Sequence, residues 1–253
     1  MGAIWRKGWR PMVLLLFLLI IWEGAVRLLK TPSWLLPAPS AILQEALTGY
    51  EGFLLHLQST VGLAVTGFLL GCSIGILVAV ALHLLPGTQE AVYPLLILSQ
   101  NIPIIVLAPL LVIWFGFGWL PKLIVITLVC FFPVTIAAMG GFRNTSKEIK
   151  QYMLMAGATR LQIFTKLEWP YSLPALFSGL KISATYSVMG AVISEWLGAK
   201  KGIGVYMTLA SSSFRTDRVF VAIFLIMILS MLFFLVIQLA EKWLVRWTRE
   251  EMK

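Results

Sequence analysis

Charge is what this sequence has least of. Only 12% of its 253 residues are Asp, Glu, Lys or Arg, where a soluble domain carries about 25%. Mean hydropathy is +0.90, and several apolar runs reach the length that crosses a ~30 Å hydrocarbon core. A soluble fold is excluded, because nothing would cover so much apolar surface. Histidine occurs only at His56 and His83, and no H-E-x-x-H, C-x-x-C or carboxylate cluster accompanies them. No metal site is expected. No serine sits in a nucleophile elbow, so no catalytic residue is expected. A G-x-x-x-x-G-K-[ST] phosphate loop is also missing; "GAKKGIG" (198–204) lacks its spacing, and no nucleotide cofactor is expected in this chain. The two cysteines, Cys72 and Cys130, lie in apolar runs and read as buried free thiols that leave the redox compartment open. The net charge of +9 comes from scattered residues without interleaved aromatics, which argues against a nucleic-acid partner. No repeat of 20–50 residues occurs, so 1–253 reads as one domain.

What is present is a series of membrane spans, predicted at about 12–29, 57–83, 91–114, 121–142, 174–196 and 219–244. Arg6, Lys7 and Arg10 precede the first run as in a signal peptide. The run is long, holds Glu23 and lacks an A-x-A site, so it is expected to be a retained span. Glu23 and Arg27 are four apart and can pair on one face. Pro32, Pro37 and Pro39 make an extended stretch, after which Ser40 is expected to cap a short helix running to about Tyr50. Gly67, Gly71 and Gly75 form a small-residue ridge that admits a close neighbour helix. Pro103 is expected to break the third span locally. With both termini inside, twelve Lys and Arg fall on the inner side (Arg6, Lys7, Arg10, Arg143, Lys147, Lys150, Arg160, Lys166, Lys242, Arg246, Arg249, Lys253) and six on the outer (Lys30, Lys122, Lys200, Lys201, Arg215, Arg218). This bias predicts cytoplasmic termini.

Between the fourth and fifth spans lies a basic, helical arm, 147–170, "KEIKQYMLMAGATRLQIFTKLEWP". Ile149, Tyr152, Met153 and Ala156 share one face. Gly157 is expected to end that helix in a left-handed conformation. Thr159 and Gln162 fit a capping box that starts a second helix, lined by Leu161, Phe164 and Leu167. Pro170 is expected to stop it, and Ser172 with Pro174 to launch the fifth span. A hinged arm on the cytoplasmic side suits a wedge that enters a partner's groove, or an amphipathic segment lying on lipid headgroups.

"AGATRLQIFTKLEWP" resembles the EAA loop of ATP-binding-cassette importer permeases. Gly157 takes the glycine of that pattern, and Leu167, Trp169 and Pro170 take its hydrophobic-x-Leu-Pro end, with Trp for Leu. Gln151, Tyr152 and Met153 stand where the pattern has acid-Ala-Ala, a departure. Elsewhere "LLPAPSAIL", "LAPLLVIWFGFGWLPKLIVITLVCFFPV" and "GAVISEWLGAKKGIGVYM" are similar to the nitrate/sulfonate/taurine-type subfamily, and the last with "DRVF" to its thiamine-precursor pyrimidine branch. The resemblance implies an all-α membrane fold of the type I importer class, with six spans and a cytoplasmic coupling helix. It implies two ATP-binding subunits that carry ATP and Mg, an extracellular solute-binding protein, and a second permease copy, all in a bacterial plasma membrane. Gln151, Met153, Ala156, Gly157 and Ala158 would meet the ATPase, together with Thr159, Arg160, Phe164 and Pro170.

Polar residues at membrane depth usually face a cavity. Ser99, Gln100 and Asn101 in the third span, and Ser183, Tyr186, Ser187 and Glu195 in the fifth, are candidates for a solute path or for bonds between helices. Glu195 could instead pair with Lys200 or Lys201 at the interface. Spans two to four hold no cation away from their ends, which favours a neutral solute over a sulfonate, taurine or nitrate; Lys181 is the counterweight. A passive channel would not need the arm, and a membrane enzyme would need a cluster of His, Asp or Glu.

Overall fold

The computed structural model describes residues 2–85 and 87–245, with side chains from residue 9 onward. Arg6, Lys7, Arg246, Arg249 and Lys253, which enter the charge count, lie outside those described side chains. The helices are α1 (Gly2–Leu28), α2 (Pro39–Thr48), α3 (Tyr50–Leu84), α4 (Thr88–Gln100), α5 (Ile104–Phe115), α6 (Trp119–Arg143), α7 (Lys147–Met155), α8 (Arg160–Ile163), a π-helical segment (Phe164–Glu168), α9 (Trp169–Glu195), α10 (Ile203–Ser212) and α11 (Thr216–Leu244).

Five stretches among the described residues are long and apolar enough to cross a membrane: Trp9–Leu28, α3, α6, the continuous Arg160–Glu195 helix, and α11. The sixth, expected over 91–114 with a local break at Pro103, has that break. It is the pair α4 and α5, bent by 93°. Pro103 has no N–H to continue the ladder, and Asn101 closes α4, its Nδ2 donating to Ile97 O (2.8 Å). The pair still traverses the bundle. The end of α3 meets the end of α6 through the rings of His83 and Phe142, 4.9 Å apart. Phe117, just before α6, lies at the other end, against Gly198. The chain between them must cross, which gives six traversals.

The core is α6 clasped between α3 and α9. At Gly71 an added Cβ would stand 2.6 Å from Thr127 O, and at Gly75 3.0 Å from Phe131 O; at Gly67 it would overlap Ile126. This ridge lets two backbones touch where lipid gives no hydrophobic drive for association. Thr135 Oγ1 crosses the same seam to Gly75 O (3.2 Å).

α1 stands largely outside this core. Its last turns run antiparallel to α11: Trp22 meets Phe220 at 5.3 Å, and Leu19 shares an apolar cavity with Phe224 and Ile228. Arg27 pairs with Glu23 at 2.6 Å, as the spacing predicts. Ser40 does not cap α2. Pro39 opens that helix behind Ala38, and the Ser40 hydroxyl donates to Glu23 Oε1 (2.7 Å).

Pro170 does not stop the arm, nor do Ser172 and Pro174 start a span. The helix runs unbroken from Arg160 to Glu195. The reason is the π turn: Trp169 N donates to Phe164 O, five residues back. Such a turn is wider than an α turn and takes the pyrrolidine ring at Pro170 without loss of continuity.

Candidate functional site

The arm is built from two caps set back to back. Ser146 Oγ accepts from Ile149 N (3.2 Å) and starts α7. At its end Gly157 has φ +84°. Gly157 N donates to Leu154 O (3.0 Å) and Ala158 N to Met153 O (2.9 Å), the double bond of a Schellman turn. Thr159 then caps α8 with the reciprocal Gln162 bonds of a capping box. No residue of α7 is buried. Tyr152 is 70% exposed and Met155 81%, with Leu154 and Leu161 also exposed. These apolar side chains on a polar arm form an unpartnered surface. Gln151, Ala156, Gly157, Thr159 and Arg160 are exposed with them, while Met153 and Ala158 are half-buried.

Two residues expected at that surface are elsewhere. Phe164 is 7% exposed, packed on Phe142 at 5.5 Å, and Pro170 is half-buried in the continuous helix. Leu161 and Phe164 therefore do not share one side: Leu161 is exposed and Phe164 is turned to the core.

Beneath the arm sits a carboxylate that the sequence did not single out. Glu168 is 3% exposed. Its Oε1 accepts from Lys150 Nζ of α7 (2.6 Å), and its Oε2 lies 2.7 Å from His83 Nε2 at the end of α3. Arg160 Nη2 reaches His83 O at 3.5 Å. The signal was faint: an acid at Glu168 and a histidine at a span end are 85 apart in sequence, and nothing local joins them.

The second feature is a cavity of about 450 Å³ at the 93° bend. Gln100, Asn101 and Pro103 line it on one side, and Phe132 of α6 with Tyr186 and Met189 of α9 on the other. No lining residue is charged. Non-helical backbone at membrane depth persists only against protein or water. Ser99 lies just outside this lining, its Oγ donating to Leu96 O (3.0 Å).

The other polar residues of α9 do not reach the cavity. Ser183 is buried and donates to Cys130 O (2.8 Å). Ser187 is buried and donates to Ala184 O (2.8 Å). Glu195 is neither interfacial nor paired with Lys200 or Lys201. It is 1% exposed, accepting from Thr60 Oγ1 (2.7 Å) and Gly204 N (2.8 Å). Thr60 Oγ1 in turn accepts from Ile203 N (2.8 Å). This acid folds the loop before α10 onto α3.

Residues 71–250 match the family described as the binding-protein-dependent transport system inner membrane component. The chain belongs to that family. It is the permease subunit of an ATP-binding-cassette importer, a multi-pass membrane protein without catalytic activity of its own; ATP hydrolysis belongs to a partner ATPase. The permease is 35% identical over 242 residues to the formylaminopyrimidine transport permease protein ThiX of Halalkalibacterium halodurans, covering 95% of this chain and 96% of the relative. It is 30% identical over 237 residues to the riboflavin transport system permease protein RibX of Chloroflexus aurantiacus, covering 93% and 88%. It is 29% identical over 247 residues to the putative aliphatic sulfonates transport permease protein SsuC of Bacillus subtilis, covering 96% and 89%.

Proposed function

We propose that the permease carries a neutral, planar nitrogen heterocycle of the thiamine-precursor pyrimidine class inward across the plasma membrane. The observation that carries this reading is the uncharged lining of the cavity at the bend, where Gln100, Asn101 and Tyr186 offer hydrogen bonds beside the ring of Phe132. Lys181, the counterweight that the sequence offers for an anion, is engaged by Glu241 at 2.9 Å. The similarity to ThiX supports the same class.

In this reading two copies of the chain enclose the path, each with its bend toward the other. The arm and both termini lie on the cytoplasmic side. The exposed face of Tyr152, Leu154, Met155 and Leu161 docks in a groove of an ATPase subunit, one per copy, which holds ATP and Mg. A solute-binding protein delivers the pyrimidine outside. Because α7 is unburied, its contacts with the open and closed ATPase can differ, and that difference is what drives the path between its states.

The test is uptake into liposomes holding the permease, its ATPase and its binding protein. ATP-dependent uptake of formylaminopyrimidine, with an aliphatic sulfonate excluded, is the expected result. Preference for the sulfonate overturns the solute assignment, and uptake without ATP overturns the importer mechanism.

A further inference from the structure

Glu168 belongs to no part of the solute path, yet each of its oxygens holds a different element. We propose that Glu168 is the positioning residue through which a displacement of α7 reaches α3 as well as α9; this rests on the reading of α7 as the ATPase-docking helix. Among the described residues, α7 makes its side-chain hydrogen bond to another element through Lys150, which donates to Glu168 Oε1 at 2.6 Å. The opposite oxygen is 2.7 Å from His83 Nε2 in the last turn of α3. The His83 ring is held between Phe142 of α6 (4.9 Å) and Phe164 (5.8 Å). One buried carboxylate thus sits where three spans and the arm converge.

The backbone supplies a second connection, from α7 through the Gly157 turn, α8 and the π segment into α9. That connection moves α9 whatever Lys150 does. It does not set the aim of the Glu168 carboxylate, which with the longer Arg160 contact to His83 O and the Phe164 ring ties α3 to the arm. Charge-assisted bonds of this length fix both distance and direction. A shift of Lys150 therefore swings the carboxylate plane and pushes the end of α3. α3 and α9 grip α6 from two sides, so moving both together is what repacks the core around the bend.

The permease–ATPase complex in lipid nanodiscs tests this with an environment-sensitive fluorophore on Leu85→Cys, at the end of α3, or on Tyr171→Cys, at the start of α9; both positions are exposed. Cys72 and Cys130 are buried and stay unlabelled. Mg-ATP with vanadate is the trigger. The expected result is a spectral shift at both positions in the otherwise unaltered chain. Lys150→Met, a change at the half-buried side of α7, abolishes the shift at Leu85→Cys and spares it at Tyr171→Cys. Lys150→Arg, which still donates, keeps both. Cross-linking of Met155→Cys to the ATPase is undiminished in every variant.

A Leu85→Cys shift that survives Lys150→Met overturns the proposal, as does the absence of that shift in the unaltered chain while Tyr171→Cys responds. Loss of cross-linking in Lys150→Met also overturns it, because Lys150 would then serve docking. If Met155→Cys never cross-links and neither position responds, the docking reading itself has failed.

Discussion

Lys181 Nζ donates to Glu241 Oε2 across 2.9 Å, tying α9 to the last turns of α11. Both side chains are mostly shielded, at 20% and 23% exposure. Lys181→Met leaves Glu241 alone, and a loss of about 2 kcal/mol is expected, between the values for surface and buried pairs. Lys181→Met with Glu241→Leu recovers most of that loss, read as the thermal midpoint in detergent. Solute preference stays unchanged in the double variant; a switch in preference would place Lys181 on the path.

Gly157→Val forces a β-branched residue to φ +84°, at a cost of about 1–3 kcal/mol. No neighbour stands within 4 Å of the added Cβ, so the strain is purely local. Gly157→Asn tolerates the left-handed region. Solute moved per ATP is expected to fall by about tenfold in the valine variant and to stay near the starting value with asparagine. Equal behaviour of the two would show that the turn's conformation is irrelevant to coupling.

Gly71→Ala places a methyl 2.6 Å from Thr127 O. It is expected to destabilise the bundle by about 1–3 kcal/mol through forced separation of α3 and α6. Gly62→Ala, on the same helix with open space around it, is expected to be neutral or slightly stabilising. The comparison is read by thermal aggregation of the purified protein.

Much of this architecture follows from local rules. The arm's glycine turn and capping box, the Glu23–Arg27 pair and the small-residue ridge each depend on a handful of neighbouring residues, and each was legible in the sequence. Three features were not. The break at Pro103 was legible, but its 93° angle depends on where α5 packs on α6, which Pro103 alone does not fix. The continuity through Pro170 depends on a π turn with no propensity signature. Glu195 and Glu168 are anchored by partners 135 and 85 residues away, Thr60 and His83, so their environment is a tertiary fact. Within the candidate path, only Gln100, Asn101 and Tyr186 converge on the cavity. Ser183 and Ser187 had the same polarity but face the core, because helix phase rather than composition decides the direction.

Asn101→Leu and Tyr186→Leu are expected to raise the transport KM by about tenfold, since a buried polar solute left unpaired loses 1–3 kcal/mol. Ser183→Ala is expected to leave KM unchanged and to lower the thermal midpoint, because its hydroxyl serves Cys130 O. A KM effect at Ser183 with none at Tyr186 would move the path to the opposite face of α9.

The π turn at Phe164–Glu168 also sets a clock for everything after it. One additional residue in a helical turn rotates the remaining helix by about 100°. The wide turn absorbs that residue; the same residues wound as a plain α helix through Phe164–Glu168 would turn α9 about its own axis. Tyr186 would swing off the cavity wall, and the serine face would be carried toward lipid. Five residues thereby set the angular bearing of the cavity wall that Tyr186 and Met189 build further along the same helix.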